Sequence, residues 1–241
     1  MKITFLRATI VAAASLLAGC AAQPEIPFDS SANTIHAIGV TVDMPPAPSV
    51  ILASDIGQSF GLVGALIDAG MAENRDKKLR AIMAEGGVDS RAVFTQAISE
   101  SLVAHGYQAV PIVSDRAKHG FLKSYPPAAD SKVDAYLDIT LVGDGYGYVA
   151  SGIGDTQPFR PFVWANCRLI KASDGSVLMQ DMVLYNWVAI NGMKVKAVEV
   201  SPDPAYSYPN MDDLVAHGPV VREGLDKALH QTADAIINLI R

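Results

Sequence analysis

The chain has only two cysteines among its 241 residues, Cys20 and Cys167. With so few, no disulfide framework exists, and stability has to come from burial. Basic residues are also short: 19 Lys and Arg stand against 25 Asp and Glu, a formal net charge of −6. That balance gives no overall field to attract nucleic acid or anionic lipid. The motifs of hydrolytic, metal and redox chemistry are missing. There is no G-x-S-x-G, no H-E-x-x-H and no C-x-x-C, and His36, His105, His119, His217 and His230 stand isolated along the chain. No catalytic residue, metal or cofactor is therefore expected. Beyond the first twenty positions no apolar run reaches the roughly 20 residues that a membrane-crossing helix needs. Apolar material is otherwise plentiful, at 50% of the residues, enough for one sizeable core.

The amino terminus reads MKITFLRATIVAAASLLAGC. Lys2 and Arg7 make a positive head, and Ala8 to Ala18 carries no charge. This run is too short for a permanent anchor and has the build of a secretion signal. An ordinary secretory cleavage site needs small residues but no cysteine. Leu17-Ala18-Gly19-Cys20 resembles the lipobox of bacterial lipoproteins. The resemblance implies that the Cys20 thiol receives a diacylglyceryl group and that a lipoprotein signal peptidase cuts between Gly19 and Cys20. In many Gram-negative bacteria the new amino group is acylated as well. Two or three acyl chains hold firmly, since each buried CH2 contributes about 0.8 kcal/mol. Ala21, rather than Asp, follows the cysteine, which by the enterobacterial sorting pattern implies the outer membrane, facing the periplasm. Cleavage removes Lys2 and Arg7 and no acidic residue, so 17 basic residues would oppose 25 acidic ones, a net of −8.

The remaining chain divides into a lipidated linker, 20–33, with two prolines, and a single domain over 34–241. Residues 35–43 alternate, with Ile38, Val40 and Val42 on one face, and predict a strand. Met44-Pro45-Pro46-Ala47-Pro48 breaks it, and 49–54 predicts a second. A helical pattern from Gly61 to about Glu85 stops at Gly86-Gly87. Asp89 or Ser90 caps a further helix carrying Val93, Phe94, Ala97, Ile98 and Leu102 at helical spacing, ended by Gly106. A short strand from Gln108 follows. Residues 133–149 alternate, with Val133, Ala135, Leu137, Ile139 and Leu141 inward and Asp134, Tyr136, Asp138 and Thr140 outward. Two more strands, about 160–172 and 177–190, flank the hairpin signal Ser173-Asp174-Gly175-Ser176. Gly218-Pro219 opens a last amphipathic helix with Val221, Leu225, Leu229, Ile236 and Ile240 as its inward stripe. The order predicts an α+β fold with a mixed, largely antiparallel sheet and helices packed on a face. It resembles, in element order, periplasmic lipoprotein domains related to the curli secretion lipoprotein and the amino-terminal domain of the Tol-Pal translocation protein.

Two stretches invite a functional reading. VGDGYGYVASGIGD (142–155) offers glycines that let a ligand approach backbone, and Asp144, Tyr146 and Tyr148 beside them. It lacks the following helix and the lysine of a phosphate cradle, so a glycine-rich bend or bulge between strands competes with a binding rim. SPDPAYSYPNMDD (201–213), with Tyr206 and Tyr208, reads as the other part of such a rim or as a rigid connector. The small residues of 57–72 suit close core packing or a protein contact. Asp134, Asp138 and Asp144 share a strand face, but their spacing does not gather the six to eight oxygens of a Ca2+ site, and a solvated face is expected. His36 should be a satisfied buried histidine beside Ile38, His105 a helix carboxyl-terminal residue, and Cys167 a small buried thiol. Together these features imply a non-catalytic interaction or assembly module, membrane-bound through Cys20, with an envelope protein as partner and self-association left open. The rival reading is an envelope enzyme or small-ligand binder with its site near 143–155 and 201–210.

Overall fold

A computed structural model describes residues 24–53, 61–113, 116, 118–127, 130, 132–151, 158–188 and 195–241. Cys20 and Gly19 lie outside the described residues. The chain forms strands β1 (Ala37–Asp43) and β2 (Ser49–Ala53), helices α1 (Gly61–Glu85) and α2 (Ser90–Ala104), and strands β3 (Gln108–Pro111), β4 (Ala135–Ser151), β5 (Arg160–Lys171), β6 (Val177–Tyr185) and β7 (Val198–Val200). A 3-10 turn (Pro204–Tyr206), a short helix α3 (Met211–Ala216) and the long α4 (Gly218–Asn238) complete it. The fold is α+β, with one mixed sheet in the order β3-β1-β4-β5-β6-β7. Its centre, β4-β5-β6, is an antiparallel meander, and the strands on both flanks join in parallel.

Strand β4 is long because two strands share its outer edge. β1 runs beside its first half, to Thr140, and β2 beside its second half, from Gly147. The proline segment between β1 and β2 spans the join. At that join β4 carries a bulge: Leu141 pairs with Ala165 and Tyr146 with Val163, so five steps of β4 match two of β5. An odd surplus reverses which side chains face which way, because strand side chains alternate with period two. Before the bulge Leu137, Ile139 and Leu141 face the helices; after it Tyr146, Tyr148 and Ala150 do. Gly147 has φ +146°, and a Cβ there would lie 1.9 Å from the Ser49 carbonyl oxygen. Only glycine lets β2 pair at this point.

The helices cover one face of the sheet. Asp89 caps α2, accepting from the backbone N–H groups of Arg91 (3.0 Å) and Ala92 (3.1 Å). Gly87 (φ +61°) and Gly106 (φ +85°) end α1 and α2 as expected. The α4 stripe is fully packed, with Val221, Leu225, Leu229, Ile236 and Ile240 all at most 1% exposed. Asn186 (φ +56°) ends β6 earlier than the sequence suggests.

The opposite face is not solvated, which corrects the reading of Asp138 and its neighbours. Tyr136 and Asp138 are both at most 1% exposed. Residues 118–127, between β3 and β4, lie over them, with Tyr125 stacked on Tyr136 at 5.0 Å between ring centroids. The other half of this face holds Phe162, Trp164 and Leu184, joined by Trp187, Val195 and Ala197. Residues 24–33, expected to be a linker, are tied down as well. Ile26 exchanges two backbone hydrogen bonds with Gln180 of β6 (2.8 and 2.9 Å), and Phe28 packs against the core.

Candidate functional site

The bulge creates the most site-like concavity near the expected rim. A groove of about 520 Å³ opens between the proline segment 45–48 and the α1–α2 turn, with Tyr146 on its floor. Its polar groups are already engaged. Arg91 donates to the carbonyls of Val42 (3.1 Å) and Met44, fixing the end of β1. Asp89 is spent on the α2 cap, and Arg80 pairs with Asp76 at 3.2 Å. Asp76 also accepts the Val50 N–H at 2.7 Å, tying α1 to β2. The groove is thus lined by proline rings and aliphatic carbon in nearly equal measure with polar groups that are tied to the fold.

Three of the expected rim tyrosines, Tyr148, Tyr206 and Tyr208, come together, but inside the molecule, while Tyr146 lies with Ser90 and Arg91 at the groove. Tyr146, Tyr148, Tyr206 and Tyr208 are 2%, 0%, 7% and 4% exposed. The parity reversal at the bulge is the reason for the first two: it turns them from the outer face to the helix face. Tyr148 donates to the Val221 carbonyl at 2.8 Å and meets Tyr208 edge-on at 5.9 Å. Tyr206 donates to Glu223 at 2.9 Å and fits against Gly224, where any Cβ would lie 2.7 Å from its ring. Burial raises the Tyr146 hydroxyl above its ordinary value and the Tyr148 hydroxyl far above it. The 201–213 segment is thus a packed connector, holding α4 against β4. The side chain of Asp144, the fifth rim residue, lies outside the described residues.

The densest polar cluster is one the sequence reading missed. Asp138, fully buried, accepts from Arg116 (2.6 Å), the Tyr125 hydroxyl (2.6 Å) and the Leu122 N–H (2.8 Å). Arg168 stands 3.6 Å away, donates to Tyr125 and lies over the Phe121 ring at 4.3 Å. Burial, followed by the adjacent Asp138 carboxylate, raises the Tyr125 hydroxyl far above its ordinary value. Asp43 adds a second tie, accepting from the Gly120 N–H and from His119, each at 2.8 Å. One carboxylate, two guanidiniums and a phenol bond one another and the backbone around them. They clamp Arg116 and residues 118–127 to the sheet, while the Arg116 Nε stays buried without a partner and Tyr125 and Arg168 also line a cavity of about 580 Å³. A hairpin register would have exposed part of this, because Asp138 lies directly opposite Arg168.

The remaining candidates are structural. Asp134 accepts from the N–H groups of His36 (2.8 Å) and Ala37 (3.0 Å), which holds its carboxyl below the ordinary range. His36 is exposed rather than buried, because β1 begins one residue after it. His105 is the α2 carboxyl cap, its Nδ1 2.7 Å from the Ser101 carbonyl. Cys167 is 0% exposed, and burial drives its thiol well above the ordinary range. Among the described residues no cluster of His, Cys, Asp or Glu could hold a metal ion. Among them, too, no helix is long and apolar enough to cross a membrane.

No protein-family model matches the chain, and no curated protein matches it. A crystal structure of lipoprotein GNA1162 from Neisseria meningitidis is similar at 15% identity, over 62% of this chain and 81% of that one, with a TM-score of 0.28. A likeness of that size carries neither fold nor role from one chain to the other.

Proposed function

We propose that this protein is a lipid-anchored component of a bacterial envelope, acylated on Cys20, held at the outer membrane and facing the periplasm. There it acts as a non-catalytic interaction or assembly module. The observation that carries the reading is the tetrapeptide Leu17-Ala18-Gly19-Cys20 behind a charged head and a short apolar run. Support comes from the way the chain's reactive groups are used: the carboxylates, guanidiniums and phenols around β4 serve as caps, clamps and core. A scaffold so committed to holding itself together suits a domain whose work is contact.

Two measurements test this. Cells fed an alkyne-tagged fatty acid should label the wild-type protein and not Cys20→Ser, which should accumulate as the longer precursor. Label on the mutant, or none on the wild type, refutes the anchor. Crosslinking in intact envelopes, followed by membrane fractionation, should then find the protein in the outer membrane with a stoichiometric protein partner. Ligand-induced stabilisation without any such partner would instead favour the groove at the β4 bulge as a small-molecule site.

A further inference from the structure

The residues just beyond the proposed lipid anchor are bound to the domain. Ile26 pairs with Gln180 through both backbone groups, the Gln180 side chain donates to the Pro24 carbonyl at 2.9 Å, and Glu25 forms an ion pair with Lys196. Downstream, Asp29 closes a turn by accepting from the N–H groups of Ser31 (3.0 Å) and Ala32 (3.2 Å), and Phe28 and Ile35 pack on the core. Four residues, 20–23, separate the acylated position from the first docked one. Four fully extended residues reach at most about 14 Å. A domain of this length has a radius of gyration of roughly 17 Å, hence a diameter near 40 Å. The leash is about a third of the body it holds.

From this we infer that the anchor does more than retain the domain at the membrane: it orients it. The β6 edge where the leash emerges, with Glu25 and Lys196, is held against the lipid surface, and the helix-covered face cannot turn to meet it. The inference rests on the acylation of Cys20 proposed above. The tryptophans fall on the side nearest the bilayer. Val195 and Ala197 flank Lys196 and pack on the cluster containing Trp164, whose ring meets Trp187 at 5.2 Å. These two are the only tryptophans in the chain, so intrinsic fluorescence reports this cluster, which reaches from β5 to Val195 and Ala197 beside Lys196. Trp187, which is partly exposed while Trp164 is buried, suits the headgroup layer, where an amphipathic ring is favoured.

The test uses the full lipidated protein reconstituted into phosphatidylcholine vesicles carrying a headgroup spin label. Tryptophan emission should be quenched at least about twofold more strongly in the wild type than in a variant with a twenty-residue Gly/Ser spacer between Ala22 and Gln23. Such a spacer spans about 25 Å and leaves the docked residues and the lipobox intact. Ile26→Pro, which removes a donor of the docking pair, should lose part of the quenching. A lipidated, vesicle-bound wild type whose emission is no more quenched than the spacer variant overturns the orientation but leaves the anchor standing. A wild type that takes up no fatty acid and does not float with vesicles overturns both.

Discussion

Asp138 is buried among two arginines, a tyrosine and a backbone amide, and its removal would strand charge. Breaking a buried pair from one side typically costs about 3–5 kcal/mol, far more than the pair itself contributes. Asp138→Ala, made in the Cys20→Ser protein, should therefore lower urea stability by about that amount, and an unchanged midpoint would remove the clamp. Asp134 makes a different prediction, one of pH. Its carboxyl lies below the ordinary value of 3.8 because two backbone N–H groups bind the charged form. Its contribution is complete above that unfolded-state value and fades as pH falls through the lower folded-state one. Asp134→Asn does not titrate, so the gap in urea midpoint between it and the wild type should shrink below about pH 4. A gap independent of pH would contradict the assignment. The contrast between these residues shows what alternation can tell. It identifies the inward residues of β4, but it cannot report that a second layer covers the outward ones. The covering chain, 118–127, is irregular and has no period to read. Cys167 was legible because a small apolar side chain in mid-strand has one ordinary environment.

Among the elements, β4 decides the architecture, and a few glycines decide β4. Helix and strand positions were readable from periodicity, caps and glycine stops, and the 173–176 hairpin was readable from its turn residues. The reversal of facing within β4 was not, since the glycine-rich stretch reads equally well as a bend between two strands. Without the reversal Tyr146 and Tyr148 belong on the outside, which is why they looked like a rim. Gly147 gives the test. Substituting Ala forces a side chain into φ +146° and against the Ser49 carbonyl, so Gly147→Ala should cost about 2–4 kcal/mol through strain and lost β2 pairing. Gly175→Ala, also at positive φ (+74°) but with nothing within 4 Å of the new Cβ, should cost only about 1–2 kcal/mol. Equal costs at the two positions would mean that backbone conformation, not the close approach of β2, sets the requirement at Gly147.

At the scale of the whole molecule, one core joins the sheet to the long final helix, and Cys167 is a reporter placed within it. Its thiol is fully buried on β5, 3.5 Å from the Asp181 carbonyl, on a strand paired on both sides. In Cys20→Ser it is the only thiol left. No local fraying of an edge strand should expose it, so a thiol reagent should reach it only when the body of the sheet opens. When opening is rapid relative to modification, the labelling rate follows the equilibrium population of the open form. Leu229 lies on the other side of the core, on α4, and is 1% exposed. Leu229→Ala should leave a cavity and cost about 2–5 kcal/mol. At tenfold per 1.4 kcal/mol, labelling of Cys167 should then speed up by roughly 30-fold at the least. Asp234→Ala, on the exposed face of the same helix, should leave the rate unchanged. Lys227 is the wrong control, because it reaches Asp203 at 2.6 Å and lies over the Tyr206 ring. If Leu229→Ala lowers the urea midpoint while Cys167 labels no faster, helix and sheet open separately, and the core is two cooperative units rather than one.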